Sequence, residues 1–248
     1  MDAPSDLDRR FEMVVSEIER ACAEAGRPRE SVVLVGVIKK QPRESVEAFI
    51  QWCHRGGLPA VVGVNYVQEY RGLKPLLSRT PDRVHFIGRL QKNKAKDAVA
   101  LFDVIETIDS AELARVVNSA AERAGKVQDI FLQVNISSDE HKAGFDCEKV
   151  RGFIAHELSR CANLRLCGLM TITRFYEAVE DVRPDFRRLR ELRDEIGGAV
   201  ECAPVLGERT LDLSMGMSHD FTVAIGEGAR FVRVGTALFG ARPGPTES

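Results

Sequence analysis

Eight short apolar runs rich in β-branched residues lie along this chain, and each of the first seven is followed by a stretch whose apolar positions recur at helical spacing. That alternation restricts the fold more than any other feature. The runs are Val32 to Ile38, Ala60 to Val64, Val84 to Ile87, Val104 to Thr107, Asp129 to Asn135, Leu164 to Thr171, Thr210 to Leu213 and Phe231 to Val234. Helical stretches follow from Pro42 to His54, Tyr66 to Leu77, Leu90 to Leu101, Ser110 to Ala124, Glu148 to Ser159, Val182 to Ile196 and Asp220 to Glu227. One more helix, over residues 5–26, opens the chain with Leu7, Phe11, Val14, Val15, Ile18 and Cys22 on one side, and Gly26 with Pro28 stops it. Repeated strand-then-helix units give a parallel sheet, and runs without polar alternation are covered on both faces. This many units in 248 residues suit a single closed (β/α)8 TIM barrel with an extra N-terminal helix. An open doubly wound sheet is the rival, because alternation does not reveal closure. No Pro/Gly/Ser-rich linker divides the chain, so one domain is expected over residues 1–243, with residues 1–30 packing on the barrel and 244–248 a disordered tail.

Charge and cysteine usage narrow the partners. The formal net charge of -2 gives no pull toward nucleic acid or an anionic membrane surface. No apolar run reaches the roughly 18 to 20 residues that cross a bilayer, and no N-terminal stretch has signal-peptide character. The six cysteines (Cys22, Cys53, Cys147, Cys161, Cys167, Cys202) form no C-x-x-C pair and read as reduced thiols of a cytoplasmic protein. The five histidines show no metal-ligand spacing. A small polar ligand is the remaining class.

In a barrel, chemistry sits at the C-terminal ends of the strands, and phosphate is often held after strands seven and eight. Strand one ends in Lys39 and Lys40, strand two in Asn65 and strand five in Asn135, while strand seven runs into LSMGMSHDF and strand eight into RVGTALFG. Ser214, Ser218 and Thr236 offer hydroxyls, and Gly216 and Gly235 permit close backbone approach to an anion. Either stretch alone reads as a turn; together, at the two loops the barrel rule singles out, they read as a phosphate cradle. A rim lysine ordinarily snorkels into solvent, but beside a phosphate cradle an amine is placed to attack an aldehyde. An aldehyde with a phosphate describes pyridoxal 5'-phosphate (PLP). Strand alternation puts Lys39 with Val33, Val35 and Val37, and Lys40 with Leu34 and Gly36, without saying which side is the interior.

The stretches GVNYVQE (63–69), HFIGRLQKNKAK (85–96), LQVNISSDEHKAGF (132–145), GLMTI (168–172), LSMGMSHDFTVAIGEGA (213–229) and VRVGTALFGAR (232–242) together resemble the pyridoxal phosphate homeostasis protein family, itself similar to the N-terminal barrel of alanine racemase. The resemblance implies PLP as cofactor and Lys39 as its Schiff-base lysine. Ser218, Gly235 and Thr236 are implied at the phosphate, Arg233 at the pyridine nitrogen and Asn65 nearby, with Ser214 and Met217 completing the cofactor-binding set. An arginine there keeps the ring nitrogen unprotonated and weakens the ring as an electron sink. The implied role is PLP homeostasis and delivery, with PLP, amino acids and apo-enzymes as partners and a monomer or weak homodimer as the assembly. The alternative is a stand-alone fold-type III enzyme acting on an amino acid, motivated by Ile38, Lys40 and Val64, which replace polar family residues expected near the mouth. Further readings are a hydrogen-bonded core role for His85, an approach of His219 to the cofactor, a positive rim from Arg89, Lys92, Lys94 and Lys96, and gating at Asn135 and Lys142.

Overall fold

The computed structural model describes residues 5–137 and 143–241. Eight parallel strands, β1 (Val33–Val37), β2 (Val61–Val64), β3 (Arg83–Phe86), β4 (Val104–Ile108), β5 (Gln128–Gln133), β6 (Leu164–Met170), β7 (Asp212–Met217) and β8 (Phe231–Val234), close in sequence order, with β8 returning to β1. Closure removes the open-sheet rival. Around the strands lie α2 (Arg43–Arg55), α3 (Val67–Leu73), α4 (Ala95–Leu101), α5 (Ala111–Arg123), α6 (Cys147–His156), α7 (Arg183–Gly198), α8 (Ala203–Leu206), α9 (Phe221–Gly226) and α10 (Thr236–Phe239), after an opening helix α1 (Asp6–Glu24). No helix among the described residues is long and apolar enough to cross a membrane.

Two apolar systems hold the barrel. Leu34, Ile38, Val62, Val64, Val232 and Val234 face the helices in one large core, while Val35, Val61, Val104, Phe131, Met170 and Phe231 fill a small interior cluster. The continuous apolar runs are explained by this double coverage. Phe11 of α1 meets the rings of Phe49, Trp52 and Phe239 at 5.5, 5.5 and 5.9 Å, which fixes the opening helix against α2 and α10. Ser5 starts α1 through a capping box, its hydroxyl accepting the Asp8 N–H at 3.0 Å.

Some boundaries differ from the sequence reading. Short 3-10 turns occupy Lys74–Leu76 and Lys92–Lys94, so α3 ends early and α4 starts late. Strand β7 runs four residues beyond Leu213, through Met217. The hydroxyl of Ser214 does not end it, because interior side chains satisfy that group while Leu213 and Met215 pack outward. Gly216 (φ 91) follows, at a point where a Cβ would lie 2.6 Å from that of Ala224.

Candidate functional site

The strand register answers the question of the two lysines. Val35 belongs to the interior cluster and Leu34 and Ile38 to the helix-facing core, so the odd-numbered side of β1 is the inside. Lys39 follows Val37 on that side and lines a cavity of about 340 Å3 at the C-terminal mouth. Its ammonium lies over the Tyr66 ring, 5.1 Å from the centroid. Lys40 is exposed, with φ 56, and turns the chain away from the barrel while its N–H donates to Glu69 Oε1 at 2.5 Å.

Val37, Asn65, Met217, Ser218, Arg233, Gly235 and Thr236 share the cavity wall with Lys39. The first turns after β7 and β8 therefore meet, as expected. Ser218 Oγ accepts from the N–H groups of Gly235 at 3.1 Å and Ala237 at 3.4 Å, so a hydroxyl and backbone donors gather at one spot. Asn65 Oδ1 is buried without a hydrogen-bond partner. Gly88 admits the close passage of the strand-two end, since a Cβ there would sit 2.0 Å from the Asn65 carbonyl oxygen. His219 also lines the cavity, with its ring stacked on Phe175 at 5.4 Å.

Ser214 is the expected site residue that the cavity does not include. It lies fully buried in the barrel, where its hydroxyl accepts from Arg233 Nη1 and donates to Glu106 Oε2, both at 2.6 Å. Arg233 Nη2 donates to the Thr171 carbonyl at 2.7 Å, and His85 Nδ1 meets Glu106 Oε1 at 2.5 Å. Burial lowers the Arg233 guanidinium from its ordinary pKa, opposed by the charges of Glu106 and Asp220. Burial pushes the Glu106 carboxyl up, but His85, Arg233 and Ser214 together outweigh it and hold it below the usual range. His85 is thus a hydrogen-bonded core residue. Glu106 escaped the sequence reading, although a lone carboxylate within the apolar run VIETI was a signal for it.

Ile38 and Val64, 2 and 1% exposed, face the helices and not the mouth. Their apolar character belongs to packing, which corrects the placement that motivated the enzyme alternative. Beside the cavity, and sharing Asn65 with it, a cleft of about 1040 Å3 is lined by Arg89, Lys92 and Lys94 but not Lys96. Lys92 pairs with Glu112. Lys142 lies outside the described residues, and Asn135, two residues beyond β5, is not part of either cavity wall.

Comparison with known proteins adds an independent line. Residues 32–243 match the family of the alanine racemase N-terminal domain. The pyridoxal phosphate homeostasis protein of Aquifex aeolicus is 40% identical over 94% of this chain and 97% of its own length, and the human one 35% over 89% and 82%. The solved structure of PipY from Synechococcus elongatus with PLP bound superposes with a TM-score of 0.72 at 31% identity, covering 90% of this chain and all of that one. Alanine racemase of Clostridium difficile, at 16% identity and a TM-score of 0.65, shares the fold over 96% of this chain and 57% of its own. Near-complete coverage by relatives at this identity, on a barrel closed in the same order as the motifs run, makes the chain a member of the pyridoxal phosphate homeostasis protein family.

Proposed function

We propose that this chain binds PLP in the 340 Å3 cavity, with Lys39 as its covalent anchor, and serves in PLP homeostasis by holding and releasing the cofactor. The observation that carries the reading is the convergence of three donor types on one cavity. The amine is Lys39; the hydroxyl and N–H cluster is Ser218, Thr236, Gly235 and Ala237; the permanent cation is Arg233. Aldehyde, phosphate and pyridine nitrogen each have a chemical counterpart in that set, and the volume lies near the low end of the roughly 300–1,000 Å3 usual for small ligands. Asn65 Oδ1 adds a buried acceptor still lacking a donor. The solved PipY relative has PLP bound, which supports PLP as the ligand.

When bound, PLP supplies an aldehyde that condenses with an amine, losing water, and a ring that withdraws electrons. Lys39 offers that amine from the interior side of β1. Ser218, with the Gly235 and Ala237 N–H groups that donate to its hydroxyl, would hold the phosphate, and Arg233, which has only donors, would face the ring nitrogen and leave it unprotonated. Among the described residues lining the cavity, Lys39 and His219 can accept a proton; the His219 ring is stacked on Phe175, and Tyr66 presents its ring face to Lys39. An arginine at the ring nitrogen weakens the ring as an electron sink, which favours storage and transfer over fast carbon-acid chemistry. The six cysteines are unpaired, which suits a reducing, cytoplasmic setting.

Incubation of the PLP-loaded protein with a panel of amino acids in deuterated water separates this reading from the racemase-like one. Negligible exchange of the α-proton, with cofactor passing to an added apo-enzyme, is the expected result. Rapid exchange with any amino acid would overturn the carrier reading.

A further inference from the structure

Arg233 ends a chain of polar groups that links four strands. His85 on β3 holds Glu106 on β4, Glu106 accepts the Ser214 hydroxyl from β7, and Ser214 accepts from Arg233 on β8. The contacts are 2.5, 2.6 and 2.6 Å, and all four side chains are nearly or fully buried. Such a network inside an otherwise apolar barrel has a large desolvation cost unless every charge is matched. The Glu106 carboxylate and the Arg233 guanidinium match in charge, and His85 Nδ1 lies within hydrogen-bond distance of Glu106 Oε1. Two of the five guanidinium N–H groups are tied to Ser214 and Thr171, which leaves the others for the cavity that Arg233 lines.

The geometry points to Glu106, braced by His85 and coupled through Ser214, as the positioning residue that fixes the Arg233 guanidinium at the cavity floor and thereby tunes the electronics of the bound PLP ring. This rests on the proposed function, in which Arg233 meets the ring nitrogen. Glu106 itself touches no ligand; its effect travels through Arg233. The charged or titratable groups facing Arg233 are Glu106 from β4, Asp220 at the start of α9, and Lys39 and His219 from the cavity wall, and Asp220 Oδ1 is engaged by the Met217 N–H at 2.6 Å. Glu106 is therefore the counter-charge aligned with the guanidinium through a bridging hydroxyl.

The test is the visible absorption band of the PLP-loaded protein and its pH midpoint, in wild type, Glu106→Gln, Arg233→Met, the double variant, Ser214→Ala and Asp129→Asn. Glu106→Gln and Arg233→Met are expected to move the band and midpoint in the same direction, and each to weaken PLP binding about tenfold, the loss of one charge-assisted contact. The double variant should match Arg233→Met alone. Ser214→Ala, which keeps both charges, should give a smaller shift of the same sign, and Asp129→Asn at the other end of the barrel none. A band left in place by both Glu106→Gln and Ser214→Ala, or moved by Glu106→Gln as far without Arg233 as with it, overturns the proposal. Absence of any band in the wild type would instead sink the proposed function. In that event the unloaded protein still decides the coupling: Glu106→Gln must lower the thermal midpoint less in the Arg233→Met background than in the wild type, and equal losses refute it.

Discussion

Among the described residues, two carboxylates of the barrel strands face arginine in the interior, Asp129 toward the N-terminal end and Glu106 toward the mouth. At the N-terminal end Asp129 receives Arg83 at 2.8 Å and Arg165 at 2.5 Å, and both arginine side chains remain about half exposed, at 46 and 54%. Toward the mouth Glu106 faces a single arginine, Arg233, across 3.9 Å with Ser214 between them, and the pair is 0 and 3% exposed. The lower cluster closes the barrel floor with cations that keep a route to water. The upper one is buried and fixes the cation that lines the cavity. Similar chemistry thus performs plugging in one place and positioning in the other, and solvent access is what separates them.

Removing one partner tests that contrast most severely. Glu106→Ala leaves a buried, uncompensated Arg233 and should cost about 3–5 kcal/mol in urea unfolding. Ser218→Ala removes an acceptor of two N–H groups at the cradle. It should weaken PLP binding by about 1.5–3 kcal/mol in a titration, with little change in folding. Asp129→Asn, whose arginines retreat into water, should cost only about 1–2 kcal/mol. A cost equal to that of Glu106→Ala would erase the difference between the two ends.

Acid sharpens the same comparison. Burial raises the Asp129 carboxyl, but Arg165 and Arg83 outweigh it and leave the folded group below its ordinary value. A depressed carboxyl contributes stability that is complete above about pH 4 and disappears as the pH falls below it. The wild-type urea midpoint should therefore fall through that range more steeply than that of Asp129→Asn. The smallest effect is expected at Ile38→Val, which trims the helix-facing core: about 0.5–1.5 kcal/mol of stability, with PLP affinity unchanged. A loss of affinity there would return Ile38 to the mouth.

Much of this was legible in the residues. Eight apolar runs separated by amphipathic stretches reported the barrel because each strand is covered on both faces, and the motifs after strands seven and eight marked the two turns that meet at Ser218, Gly235 and Thr236. The side of β1 that faces inward was not legible, since both sides of a doubly covered strand are apolar. Ser214 was misread as a loop hydroxyl because its partners, Glu106 and Arg233, come from strands 108 and 19 residues away in sequence. Ile38 and Val64 looked like changes at the mouth only while the register was unknown.

The central claim is that the interior side of β1 delivers Lys39, and not Lys40, to the cofactor. Borohydride reduction of the PLP-loaded protein followed by peptide mapping tests it directly, with Lys39→Ala and Lys40→Ala alongside. A pyridoxyl group on Lys39, lost in Lys39→Ala and retained in Lys40→Ala, is the predicted result. An adduct on Lys40, or one that survives Lys39→Ala in full yield, would contradict it.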